Sequence, residues 1–183
     1  MPHRRRVEPP PVIVNNTWRK ATSVLLIILV YGIPLSLVLS ALVLAMIRAN
    51  PRLMLQDYPK DIQAAVPPKT PAEQRQTRSW GIILLLLVLA FPLAAALSAK
   101  AAQYGFLGIF LSAFGVPLLF NIVDWLILDW LIFCTFTPRF AVLPGTEGMA
   151  GYKNYAMHFR GFLIGTIYSA GVGVVIAVMV TFV

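Results

Sequence analysis

Asn121, Asp124 and Asp129 interrupt the longest apolar stretch of this 183-residue chain, in the run Asn121-Ile122-Val123-Asp124-Trp125-Leu126-Ile127-Leu128-Asp129-Trp130. On an α-helix, at about 100° per residue, Asp124 falls about 60° to one side of Asn121 and Asp129 about 80° to the other, so the three share one broad acidic face. Such a face suits a cation, a proton or a polar solute, with Asn121 as a neutral hydrogen-bonding member. The alternative is positional: Trp125 and Trp130 are the aromatics expected at headgroup depth, and a long helix projecting past the bilayer would leave both carboxylates in water. Depth sets the cost. An Asp at mid-bilayer costs roughly 2.5–3.5 kcal/mol on the insertion scale, and two together offset about a dozen Leu, Ile, Val and Phe at roughly 0.3–0.6 kcal/mol each. Deep carboxylates are protonated, paired or turned toward water; Lys100, Arg139, Lys153, Arg160 and His158 are the partners the sequence offers.

A second polar group follows. Pro144-Gly145-Thr146-Glu147-Gly148 reads as a tight turn, and Gly151-Tyr152-Lys153-Asn154-Tyr155 leads to His158 and Arg160. Glu147 and His158 are candidate acid–base residues, while Arg139, Lys153 and Arg160 are cations suited to an anionic headgroup. No metal site is expected, because the chain has no His-Glu-x-x-His, no Glu-x-x-His pair and no set of cysteines. With His3 and His158 the only histidines, a bis-His haem is not expected either. There is no Walker loop, no Gly-x-Gly-x-x-Gly and no Gly-x-Ser-x-Gly elbow, so no cofactor is predicted. Cys134, the one cysteine, lies in an apolar run and reads as a small packed hydrophobe.

The elements that position these residues follow from composition. Hydrophobic residues make up 58% of the chain and charged ones 12%, and mean hydropathy is +0.77, which is the signature of a membrane protein. The net charge of +8 then points to anionic lipid, not nucleic acid. Four apolar runs are long enough to cross about 30 Å of hydrocarbon, at residues 22–47, 80–97, 104–136 and 159–183. The first exceeds the apolar region of a cleavable signal peptide and reads as an uncleaved anchor. The second is announced by Thr70-Pro71-Ala72-Glu73, a capping box with proline at the first helical position, so its helix starts before the apolar run. The third is too long for one straight crossing, at about 1.5 Å of rise per residue, and must bend, tilt or protrude.

The predicted fold class is therefore all-α: a polytopic integral membrane four-helix bundle with Pro-kinked transmembrane helices and a long third helix. A basic, proline-rich tail at 1–21 carries Arg4-Arg5-Arg6 and Pro9-Pro10-Pro11, and precedes a four-helix domain at 22–183 with a proline-rich loop at 48–79. Residues 53–66 of that loop are candidates for the interface. Asn15-Asn16-Thr17 matches the glycosylation pattern but stands too close to the first span to be used. Positive charge does not fix the orientation: the first span's leading flank and the loop totals favour opposite answers.

Pro34, Pro92 and Pro117 fall inside three spans, and each frees a carbonyl four residues upstream. Gly32-Ile33-Pro34-Leu35 and Gly115-Val116-Pro117-Leu118 hint at two copies of a helical hairpin. In the fourth span Gly161, Gly165, Ser169 and Gly173 recur every four residues and make a small-residue ridge, with the third helix or a copy of the chain as its partner.

Three functions fit. The first is an accessory or structural membrane subunit that packs through the ridge against a membrane-protein partner or in a homo-oligomer. The second is a small transporter or channel for a cation, protons or a polar solute, built on Asn121, Asp124 and Asp129. The third is an interfacial enzyme acting on an anionic lipid or lipid-linked substrate, with Glu147 or His158 as acid or base. The observation that separates them is whether Asn121, Asp124, Asp129, Glu147 and His158 converge on one cavity.

Overall fold

The computed structural model describes residues 16–182, with side chains described from residue 23 onward. His3, the Arg4-Arg5-Arg6 run, the three consecutive prolines and Asn15 lie outside the described residues. The described chain is all-helical, without strands. Four of its helical stretches are long and apolar enough to cross a membrane: Ser23–Ala49, Pro71–Ala101, Phe106–Phe136 and Tyr155–Phe182.

Helix α1 (Asn16–Ala49) starts ahead of the apolar run and continues through Pro34. A 3-10 segment, Pro51–Asp57, and a short helix α2 (Lys60–Ala65) then form the first loop. Helix α3 (Pro71–Ala101) begins with the expected capping box: Glu73 N–H donates to Thr70 Oγ1, and Thr70 N–H donates to Glu73 Oε2 at 2.8 Å. The same Glu73 takes a 2.7 Å ion pair from Arg52, whose guanidinium also donates to the carbonyls of Pro67 and Pro68. One carboxylate thus caps a long helix and ties the proline-rich loop to it.

Helix α4 (Phe106–Val123) is central and packs on α1, α3 and α5 (Tyr155–Phe182). Its buried face is made of small groups, Ser112, Ala113, Gly115, Val116 and Pro117, as are the buried positions Ala95, Ala96 and Ala99 of α3. Large apolar side chains such as Leu86, Leu107, Ile167 and Val175 stand outside. The two Gly-x-Pro-Leu motifs meet across α1 and α4: a Cβ on Gly32 would lie 2.8 Å from Leu119, and one on Gly115 would lie 2.5 Å from Ile28. Glycine at both places lets these helices approach.

The excess length of the third apolar stretch is absorbed by a change of helix type. From Asp124 to Phe136 the backbone is a π-helix, whose hydrogen bonds join residues five apart and which holds more residues in each turn. Its end is marked by Thr137, in the left-handed conformation at φ 46°, with its N–H donating to the Ile132 carbonyl at 3.0 Å.

The first loop and residues 137–154 close one end of the bundle together. Leu55, Ile62 and Leu143 form their common core, Tyr58 Oη donates to the Ala141 carbonyl at 2.7 Å, and the Tyr58 and Tyr152 rings meet edge to face at 6.1 Å. Residues 53–66 are thus a folded cap with a core of its own.

Candidate functional site

The π-helix decides the geometry of the acidic residues. On an α-helix Asp124 and Asp129 would stand about 140° apart, whereas the wider turn of the π-helix narrows that angle. Both carboxylates border one cavity at the beginning of α5. His158 reaches across from α5, and its Nδ1 stands 3.0 Å from Asp129 Oδ2. The Cys134 thiol is fully buried. Asp57, at the end of the 3-10 segment, completes the group from the cap.

These residues border two cavities. A cavity of about 490 Å³ is lined by Asp57, Asp124, Asp129, His158, Lys60 and Arg160, and continues past Trp125, Gly161, Phe162 and Ile164 toward the apolar flank. A smaller one of about 70 Å³ lies under the cap, between Asp57, Tyr58, Asp129 and His158. The larger falls in the size range of small-molecule sites.

In the cap, Asp57 keeps an exposed side, while the protein packed on its other side raises its carboxyl above the usual range; Lys69 and the 2.7 Å hydrogen bond from Gln56 oppose this. Burial lowers the Lys69 ammonium, with Asp57 and Glu73 acting against it. That ammonium donates to the Leu53 carbonyl at 2.6 Å and to Thr77 Oγ1 at 2.9 Å, so it holds the 3-10 segment on α3. Burial, then Tyr152 and Asp57, raise the Tyr58 phenol, which stays protonated and serves as a donor.

Asn121 lines the larger cavity but is held between helices. Its Nδ2 donates to the Phe162 carbonyl at 2.9 Å and to Thr166 Oγ1 at 3.1 Å. Gly165 leaves room for this amide, since a Cβ there would collide with it. Ser169 is buried, and a Cβ on Gly173 would lie 3.0 Å from the Phe114 Cα. Gly165 and Gly173 are therefore used against α4 and Ser169 is buried within the chain, while a Cβ on Gly161 would meet open space at the cavity.

The basic candidates separate. Arg160 lines the cavity and makes no ion pair among the described residues. Lys153 caps the π-helix instead, donating to the carbonyls of Cys134 at 2.6 Å and Thr135 at 2.9 Å and to Thr137 Oγ1 at 2.8 Å. Lys100 donates to the Val180 carbonyl near the end of α5. Arg139 is exposed in a 3-10 turn at Arg139–Ala141. Glu147 closes its own tight turn by accepting from Gly145 N–H at 3.2 Å and borders neither cavity. Lys153→Met is expected to cost about 0.5–1.5 kcal/mol and to speed hydrogen exchange of the amides at 134–138 first; unchanged exchange there would show that the cap is idle.

One member of the site escaped the sequence: Asp57 carried no signal beyond its charge in a polar loop. Cys134, read as a small packed hydrophobe, is fully buried and lines neither cavity. Among the described residues no group of three His, Cys, Asp or Glu is arranged to hold a metal. The fold and site define an all-helical chain with four helices of membrane-spanning length and an acidic, histidine-containing cleft at one end. Set against known proteins, the chain matches no protein family, no curated protein and no solved structure.

Proposed function

We propose that this chain is a multi-pass integral membrane protein that takes the polar head of a membrane-borne, amphipathic substrate into the cleft and acts on it by acid–base chemistry. The many large apolar side chains on the outside support insertion, as do the Ala and Gly positions at which the helices approach closely. In this reading the helices bend at Pro34, Pro92 and Pro117, and residues 50–70 and 137–154 share one side of the membrane.

The observation that carries the function is the Asp129–His158 pair at 3.0 Å, facing a cavity that is polar at the cap and apolar at the flank. A carboxylate on Nδ1 fixes the imidazole's orientation and stabilises its cation, and leaves Nε2 to exchange a proton with a bound group. A path through the bundle has less support. Beyond Asn121 the interior is filled by Leu35, Ala95, Val116, Ala113, Ile109 and Ala177. The accessory-subunit reading keeps the exposed apolar flanks in its favour, but three positions of its packing ridge are occupied within the chain.

The test is direct. Protein reconstituted into vesicles of total membrane lipid is expected to convert at least one lipid species, followed by mass spectrometry over time. A lipid profile indistinguishable from that of protein-free vesicles would overturn the reading.

A further inference from the structure

The larger cavity is dipolar as well as amphipathic. Its lining brings Asp57, Asp124 and Asp129 together with Lys60 and Arg160. Asp129 is engaged by His158 and Asp57 by Gln56, whereas Asp124 has neither a hydrogen bond nor an ion pair among the described residues. Asp124 is partly buried on the cavity wall, and its free carboxylate can accept from a ligand that brings N–H groups. Arg160 is likewise without an anion. Lys60 is bonded only to the neutral Gln63, at 3.3 Å.

Beyond the charges the cavity is bounded by Trp125 and Phe162, stacked at 4.4 Å. The buried indole Nε1 of Trp125 has no acceptor in the protein. Past them Ile164 leads onto the exposed apolar face of α5. A ligand that matches these groups carries a primary ammonium, a phosphate and an apolar tail.

Resting on the proposed function and naming its substrate class, we infer that the cleft binds an aminophospholipid of the phosphatidylethanolamine type. The ammonium sits on Asp124 with Asp57 beside it, the phosphate lies by Arg160 and Lys60, and the chains leave along Phe162 and Ile164. A primary ammonium is favoured over a quaternary one because Asp124 needs N–H donors, which a trimethylated headgroup lacks. A lipid is favoured over a soluble phosphoamine because Trp125, Met157, Phe162 and Ile164 give the cavity an apolar wall that opens to the flank.

The experiment is native mass spectrometry of the full chain in a mild nonionic detergent. The protein is supplied with equimolar phosphatidylethanolamine, phosphatidylcholine and phosphatidylglycerol of identical chains. The ethanolamine lipid is expected to be retained at least tenfold over each of the others. Asp124→Asn is expected to remove most of its advantage over phosphatidylglycerol. Arg160→Gln is expected to weaken retention of all three lipids. Gly161→Leu, at a position with open space for the side chain, is expected to abolish retention in a stable protein and serves if Asp124→Asn does not fold. Equal retention of the three lipids, preference for the choline lipid, retention unaffected by Gly161→Leu, or equal competition by soluble phosphoethanolamine would each overturn the inference. Retention is read on unreacted lipid, so it is independent of turnover. Conversion of a different headgroup would leave the proposed function standing and this assignment overturned.

Discussion

Replacing His158 by Ala is expected to lower the rate of lipid conversion by about 10²–10⁴, the range supplied by a positioned general acid or base, with the bundle still folded. The ring is half-buried and its one ion pair is with Asp129. In the proposed chemistry its removal deletes the group that exchanges the proton, while close helix contacts of α5 lie further along, at Gly165 and Gly173. Asp129→Asn keeps the shape but removes the charge that orients the ring and stabilises its cation, so a loss of the same kind is expected. Added imidazole should restore part of the activity of His158→Ala and none of that of Asp129→Asn, a distinction that a purely structural role would not produce. Wild-type rates in His158→Ala would remove the acid–base assignment.

Gly173→Leu is expected to have the largest effect on stability. A Cβ at this position would stand 2.9 Å from Phe114 Cβ, 3.0 Å from its Cα and 3.1 Å from its amide nitrogen. Backbone atoms cannot rotate away as a side chain can, so α4 and α5 must separate along their contact. Overpacking of this kind costs about 1–3 kcal/mol and occasionally more; here the upper end is expected, with a lowered Tm in detergent and loss of the monodisperse species. Gly161→Leu, on the same ridge three turns earlier, is expected to leave Tm unchanged because it meets open space. Equal stability of the two variants would show that the ridge is not held closely against α4.

The positions of the long helices could be read with little else than hydropathy, because apolar runs of this length have few structural uses. The start of α3 was equally legible: Thr70, Pro71 and Glu73 act through local bonds that need no tertiary partner. The repeat Gly161, Gly165, Ser169 and Gly173 was legible as a small-residue ridge, since a repeat of four is a property of one helix alone; only the structure shows that Gly165 and Gly173 lie close to α4 and that Gly161 meets open space. The partners of the charges were not legible. Lys153, Arg139 and Glu147 are near His158 in sequence, yet Lys153 went to carbonyls at the end of the π-helix and Glu147 to its own turn, because unsatisfied backbone groups compete with distant side chains for a nearby charge.

The chain alone determined that the fold would be helical, where its four long apolar segments lie and which of their faces are small enough to touch, since each depends on local composition and period. The tertiary structure decided that Asp124 and Asp129 border one cavity and that His158 and Asp57 meet them there. Residues five apart are well separated on an α-helix and come closer in direction only once the backbone winds as a π-helix. Aromatic stacking of Trp125 on Phe162 and the Lys153 cap at its end accompany that winding. Asp57 comes from a loop more than sixty residues earlier in the chain, so nothing in the local sequence of the third helix could announce it.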